Sequence, residues 1–431
     1  MAANFGATLL SEVKEEGLDE LLHDLRNICP AGSEDSISED RLGVKELDGL
    51  LDVFTPGPTV QQRLHQSSTI QREGDILQSD PDDNEGAEDQ PYLVRVTRPD
   101  PVIEISSTSS GAGKSQLLYY LTAIAVLPST YDGIDIGGKG TTVVFIDTDG
   151  RLDADRLKTV TQSILQQRFK EQPEDIQLPS QVDLDSILIA SLQHVHIFRP
   201  QSSSSLLATL HTLDTYLLDT TRHHSSTRPL HTIIIDSASS FIWQDRLRDE
   251  VSRIEEIGRP PAEVEFEREQ KQSFYLSDLY AELIKELKRL QRIFSCSVIY
   301  TTMLWSGKGN SSQHPQSYHP SGPFDLYNPP VVSNKTPAFR SSLPPPWGSF
   351  PLLRLVVQRD PVRPFAPGVT VREAEGDAGK RQEIVAQGKF SGWVNGWGRE
   401  EWSRRMEDAV EKLNGGMFAF YSSRDGVYIS P

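Results

Sequence analysis

Cysteine is scarce in this chain of 431 residues: Cys29 and Cys296 are the two. They stand far apart and show the spacing of neither a metal site nor a disulfide framework, which suits a reducing compartment. Long hydrophobic runs are lacking too. No stretch approaches the ~18 consecutive apolar residues of a membrane span, so no membrane partner is expected. Met1 to Leu21 is too acidic for a signal peptide. No dense Lys/Arg cluster argues by itself for nuclear import, and internal repeats are lacking. Positive charge is short in the first 92 residues, where 21 Asp and Glu stand against 6 Lys and Arg; that net of −15 leaves only −3 of the total −18 for residues 93–431. The acidity belongs to an N-terminal arm and says little about the partners of the rest.

What the chain does have is Val102 to Leu118, VIEISSTSSGAGKSQLL: a short apolar run, a loop of small residues, then a helix opened by Gly113, Lys114 and Ser115. This is the layout of a phosphate-binding loop, in which backbone N–H groups and the positive end of a helix dipole cradle phosphate oxygens. The usual pattern is Gly, four residues, then Gly-Lys-Ser/Thr. Here the eight positions read TSSGAGKS, with Thr108 where the first glycine belongs. Leu117, Leu118, Leu121 and Ile124 supply the apolar helix that the motif requires, which sets it apart from a Ser/Gly turn. The amides of Gly111, Ala112, Gly113, Lys114 and Ser115 are expected to hold the anion, with Lys114 on the β- and γ-phosphates of ATP and Ser115 on Mg²⁺.

The length leaves room for two or three domains, or for one large α/β core with appendages. Residues 1–60 read as a short amphipathic helical N-terminal segment, in which Leu9 to Ile28 carries apolar residues at helical spacing (Leu9, Leu10, Val13, then Leu18, Leu21, Leu22, Leu25). Such helices need a surface, either this chain's own core or a partner's groove. Residues 61–92, with DPDDNEGAEDQ at 80–90, have few large apolar residues and read as an acidic disordered linker. A nucleotide-binding core is expected over 93–304, a Pro/Ser-rich loop over 305–350, and strands and a helix completing the core over 351–431.

Within that core, Thr141 to Asp149 (TTVVFIDTD) reads as a buried strand ending in two carboxylates, and residues two apart share a face, so Asp147 and Asp149 are both expected to point toward one site. A helix follows over Arg151 to Gln167, a strand over His194 to Phe198 and a helix over Leu206 to Leu218. His194 and His196 alternate onto one face without neighbouring Cys or carboxylate, which favours structural or surface histidines over a metal site. His231 to Ser237 (HTIIIDS) is an apolar strand capped by an acid, the layout of a Walker B element with Asp236 placed toward Mg²⁺. Ser273 to Phe294 reads as a long helix and Ser297 to Thr302 as the next buried strand. Five strands with intervening helices argue for an α/β fold with a mainly parallel, twisted sheet and ligands at its carboxyl edge. Leu352 to Val357 and Ile384 to Ala386 read as late strands, and Met417 to Tyr421 with Gly426 to Ile429 as a terminal β-hairpin. Trp393, Trp397 and Trp402 fit a local aromatic cluster packed on a 399–413 helix better than a base-stacking platform.

GAGKSQLL (with Gln116 after the phosphate loop), FIDTDGRLDADRL at 145–157 and IIIDSASSFIW at 233–243 together resemble the RecA-type recombinase core in its eukaryotic form. The resemblance covers about residues 100–305 well and the terminal hairpin modestly. It implies a RecA-like P-loop NTPase core that binds ATP and Mg²⁺ through the phosphate loop, Gln116 and Asp236, with Lys114 and Asp149 as catalytic groups. It also implies a nuclear protein of homologous-recombination DNA repair, assembled with other RecA-type recombinase paralogues in a hetero-oligomer that assists the strand-exchange filament on single-stranded DNA.

The departures shape the expected activity. In active members the acid matching Asp149 is a glutamate that orients the attacking water; Asp149 is shorter by about 1.5 Å of reach, and a ~1 Å misplacement can cost on the order of 10²-fold. The polar residue that senses the γ-phosphate is matched by Met303, which is expected to do so by no hydrogen bond. A positive φ at Thr108 would strain a β-branched residue. Hydrolysis is therefore expected to be weak or absent. The two readings are a nucleotide-holding scaffold and, as its alternative, an active DNA-dependent ATPase that binds single-stranded DNA directly; a P-loop kinase of small molecules ranks third, for want of an arginine-rich lid. The loops that face DNA in the family fall near Gln244 to Gln272, which mixes both charges, and Trp305 to Phe350, which is poor in cations. Contact with single-stranded or branched DNA is thus expected to be weak or indirect.

Overall fold

The structure, a computed structural model, describes residues 41–55, 100–171, 181–270, 275–304, 338–360 and 368–430. The expected helices of 9–28, the acidic linker and most of the Pro/Ser-rich loop lie outside these residues.

The elements in chain order are α1 (Lys45–Phe54), β1 (Val102–Ser107), α2 (Lys114–Val126), β2 (Thr130–Tyr131), β3 (Ile134–Asp135), β4 (Thr142–Asp147), α3 (Ala154–Lys170), α4 (Gln181–Leu192), β5 (Val195–Phe198), α5 (Ser203–Leu218) and β6 (Leu230–Asp236). They continue with α6 (Ile242–Glu255), α7 (Pro261–Glu269), α8 (Leu276–Phe294), β7 (Ser297–Met303), β8 (Leu353–Arg359), α9 (Val371–Gln387), β9 (Lys389–Val394), α10 (Arg404–Lys412), β10 (Met417–Ser422) and β11 (Val427–Ser430). Nine strands form one sheet in the order β11-β10-β9-β8-β1-β7-β6-β4-β5. From β8 to β5 the pairs are parallel, and β8 to β11 continue antiparallel. This is the α/β, mainly parallel, RecA-like architecture with a C-terminal β-hairpin expected above.

The central strands are buried and largely apolar because both faces are covered, and period-two alternation sends successive residues to opposite cores. Ile103, Ile105, Val143, Phe145, Ile234 and Ile299 face one core, with α1, α2 and α3; Val144, Ile146, Ile233, Ile235 and Val298 face the other, with α5 and α8. Helix α2 lies against the sheet under α3 and the hairpin, so Leu117, Leu118, Leu121 and Ile124 are all buried, each worth about 1.5–3 kcal/mol. Because the strands run parallel, their carboxyl ends share one edge. In register Ser107 stands beside Met303, and Asp147 beside Asp236.

Two expectations change. Ile384 to Ala386, read as a strand, lies within α9. Its capping box at Thr370 and Glu373 and its left-handed Gly388 terminus delimit a helix, and a three-residue apolar run cannot by itself distinguish strand from helix. The charged stretch after β6 holds α6 and α7 rather than an irregular loop. Helix α1 lies within the helical segment expected over 1–60 but past the 9–28 stretch whose spacing was read: the buried Asp48 carboxylate accepts from Leu42 N (2.6 Å) and Val44 N (2.9 Å), holding the turn before the helix.

Candidate nucleotide site

The site is built where β1, β6 and β7 end. The turn from β1 into α2 closes through Gly113, whose φ of 90° is open to glycine at no steric cost. A Cβ at Gly113 would also come within 2.6 Å of Phe390 Cδ1 and 3.0 Å of Phe420 Cζ. Those two rings, stacked 5.0 Å apart on β9 and β10, back the loop. Non-glycine residues at positive φ among those described are Asp132, Ser295 and Asn414. Thr108 is not one of them, so the strain expected at the missing glycine does not arise.

Lys114 is buried. Its Nζ donates to Ser107 Oγ at 2.6 Å and lies 3.3 Å from Met303 Sδ. Burial pushes the ammonium below its usual range, while the nearby charges of Asp236 and Asp149 pull it back up. Met303, at the position matched to the sensing residue, places its sulfur as a weak acceptor for the lysine itself, a contact that the sequence reading did not foresee.

Ser115 Oγ donates to Asp236 Oδ2 at 2.7 Å, and Thr301 Oγ1 donates to Asp236 Oδ1 at 2.5 Å. A hydroxyl from the helix N-terminus and a carboxylate from the end of β6 thus meet across 121 residues of sequence. Asp149 accepts from Ser240 Oγ, and Ser240 is bonded in turn to Thr148 Oγ1 at 2.8 Å. A carboxylate tethered in this way is held by the turn after β6.

Asp147 departs from expectation. It is buried and accepts from Arg151 N, Leu152 N and Arg199 Nε, each at 3.0 Å. Its carboxylate fixes the turn after β4 and does not share the site with Asp149. Gln116 points toward the hairpin: its Oε1 accepts from Arg156 Nε at 2.9 Å and Ser422 Oγ at 3.1 Å. Arg156 also donates to the carbonyls of Ser423, Arg424 and Gly426, clamping the hairpin onto α2 and α3. Gly111 lies in open space, where a Cβ would meet nothing within 4 Å, and Ala112 is buried beside it.

Sequence reasoning missed Thr301, Ser240, Phe390 and Phe420. Thr301 is a β-branched residue inside a strand, which carries no signal beyond strand propensity. The aromatic backing comes from strands nearly three hundred residues downstream.

The residues fit a magnesium–nucleotide. They offer a left-handed glycine at a helix N-terminus, a buried ammonium with one hydroxyl and one thioether acceptor, and a hydroxyl–carboxylate pair of oxygen donors suited to Mg²⁺.

His194 and His196 are structural. Ser225 Oγ lies 2.8 Å from His194 Nδ1 and 2.8 Å from His196 Nε2, and Tyr216 Oη lies 2.9 Å from His196 Nδ1. Both rings are buried. Burial first, then neighbouring positive charge, lowers each imidazole to about 4. Trp402 packs edge-on against Phe54 of α1 at 5.1 Å, a partner distant in sequence rather than a neighbour in the local cluster expected for it.

No family model matches the chain. Over 287 residues it is 25% identical to the DNA repair protein XRCC2 homolog of Arabidopsis thaliana, covering 62% of this chain and 72% of the plant protein. Over 138 residues it is 35% identical to DNA repair protein XRCC2 of Mus musculus, covering 32% of this chain and 40% of the mouse protein. In motif layout, sheet order and sequence, the chain resembles the RecA-type eukaryotic recombinase paralogues and, among them, the proteins named XRCC2.

Proposed function

We propose that this protein is a nucleotide-binding recombinase paralogue of homologous-recombination DNA repair. It acts in the nucleus as a subunit of a hetero-oligomer of RecA-type paralogues that assists assembly of the strand-exchange filament. The likeness to two proteins named for DNA repair supports the repair role. The observation that carries the nucleotide reading is the meeting of Lys114, Ser115 and Asp236 at one sheet edge.

In this reading the amides of Gly111 to Ser115 hold the phosphates, Lys114 neutralises their charge, and Ser115 and Asp236 hold Mg²⁺ directly and through water. Magnesium, when bound, spreads the charge of the β- and γ-phosphate oxygens. Gln116 keeps the hairpin in place over the loop. Asp149 orients water poorly, because it is one methylene short and held by Ser240, and Met303 offers a sulfur where a polar sensor would report the γ-phosphate. Turnover is therefore slow or absent, and the protein works mainly by assembly, touching single-stranded or branched DNA weakly or through its partners.

The alternative is an active DNA-dependent ATPase, favoured by the electrostatic reach of Asp149 to Lys114. Measuring ATP binding and hydrolysis by the purified protein, with and without single-stranded DNA, separates them. Binding with negligible, DNA-independent turnover supports the scaffold; turnover stimulated by DNA and abolished in Lys114→Ala supports the motor.

A further inference from the structure

Helix α6 leaves the site directly after the 237–241 turn and is fixed on its inner side by three anchors. Ile242 is buried; Asp245 accepts from Ser203 Oγ at 2.5 Å and Tyr280 Oη at 3.3 Å; Asp249 accepts from Leu276 N at 3.0 Å and pairs with Arg253 at 2.9 Å. These contacts set the rotation of the helix. At 100° per residue the opposite side presents Trp243, Leu247, Val251 and Ile254 within one arc of about 80°. Leu247, Val251 and Ile254 are 62%, 45% and 65% exposed, and Ile257 just beyond the helix is 78% exposed. Such a stripe on a helix already anchored by its inner face is the signature of a docking surface.

We propose that this stripe is the docking site of the chain's own acidic N-terminal segment, Leu18 to Ile28. Three observations select that occupant. Leu18, Leu21, Leu22, Leu25 and Ile28 repeat at helical spacing over ten residues, about 15 Å of helix, and the α6 stripe spans about 16 Å. The tether reaches: the twelve residues 29–40 span up to about 40 Å. They end at Arg41, whose carbonyl accepts from His231 Nε2 at 2.8 Å near the start of β6. From there β6, seven residues long, covers about 23 Å toward α6. Finally, the stripe is one helix wide and offers on the order of a few hundred Å², well below the ~800 Å² per partner of a standard interface between separate molecules. A tethered segment needs no such area, because its effective concentration is about millimolar. Docking there lays the acidic arm beside the turn that holds Ser237 and Ser240, and the inference holds whether or not the site binds nucleotide.

The test uses the full-length purified chain with p-benzoylphenylalanine replacing Leu247, irradiated and mapped by peptide mass spectrometry. The expected result is a monomeric cross-link into residues 18–28, with a yield that does not change on dilution. In a second chain that also carries Leu21→Asp and Leu25→Asp, the yield falls about tenfold or more, and amide exchange of 242–257 in the same double variant without the photoprobe becomes faster. A cross-linked dimer would make the occupant a second copy and overturn the proposal. So would a cross-link to another segment, a yield unchanged by Leu21→Asp/Leu25→Asp, or unchanged exchange of α6.

Discussion

The sulfur of Met303 lies 3.3 Å from the ammonium of Lys114, joining the last residue of β7 to the first residue of α2. A thioether accepts weakly and donates nothing, so the sheet edge that would report the γ-phosphate has no donor at that position. Met303→Gln supplies an amide of similar length. Its ATP turnover is expected to rise above wild type, and to rise further when combined with Asp149→Glu. A double variant with turnover unchanged from wild type in a phosphate-release assay would reject Met303 and Asp149 as the cause of the proposed slow turnover.

Lys114→Ala removes a charge-assisted contact to phosphate worth about 1.5–3 kcal/mol, so ATP affinity is expected to fall about 10- to 100-fold. Partner binding is expected to persist, since the lysine is buried inside the site. Titration with a fluorescent ATP analogue and co-purification with the partner paralogue measure the two effects separately. A variant that lost both together would reject the separation of nucleotide from assembly.

Gly113→Ala meets two obstacles: a left-handed backbone and a Cβ 2.6 Å from Phe390. Left-handed strain alone costs about 1–2 kcal/mol, and displacing the stacked Phe390–Phe420 pair adds to it. Denaturant unfolding should show a loss of about 2 kcal/mol or more. Phe390→Leu in the same chain should recover part of that loss by making room.

Glu104 is buried on β1 beside Arg354 (3.6 Å), accepts from Thr302 Oγ1 at 2.9 Å and Ser341 Oγ at 3.4 Å, and stands in register with Tyr300. Burial raises its carboxyl above the usual range, against the pull of Thr302 and Arg354. Glu104→Ala leaves Arg354 without its buried counter-charge and is expected to cost about 3–5 kcal/mol. Glu104→Gln keeps the volume and the bond from Thr302 and should cost less. Urea unfolding of the two variants checks the order.

Acid should destabilise the protein through the Ser225 pair. His194 and His196 titrate at about 4 in the folded chain and near 6.5 when unfolded. The unfolded chain therefore binds more protons between those limits, and stability, complete above about pH 6.5, falls as the pH drops toward 4. Each ring contributes on the order of 1–3 kcal/mol. Replacing both with Gln should flatten the melting-temperature profile between pH 6.5 and 4.

Local residue patterns alone were enough for the Gly-Lys-Ser turn into α2, the acid-capped strand of Asp236, the buried central strands and the terminal hairpin. These rest on local chemistry: glycine before a lysine-led helix, β-branched runs and turn residues act over a few positions. The same patterns placed Lys114, Ser115, Asp236 and Met303 at one edge of the sheet, since parallel order follows from alternating strands and helices. What those side chains meet follows from contacts made across the fold. Asp147 and Asp149 share a strand-edge pattern, yet Arg199 and the 151–152 amides take the first, while Ser240 holds the second. Gln116 and Arg156 look like site and surface residues until the hairpin, more than 250 residues on, folds over them. Helix α9 and the outward stripe of α6 were hidden because short apolar runs and mixed charges do not state which face is covered. That depends on partners brought close only by the fold, where the energy of burial is set by three-dimensional neighbours rather than by order along the chain.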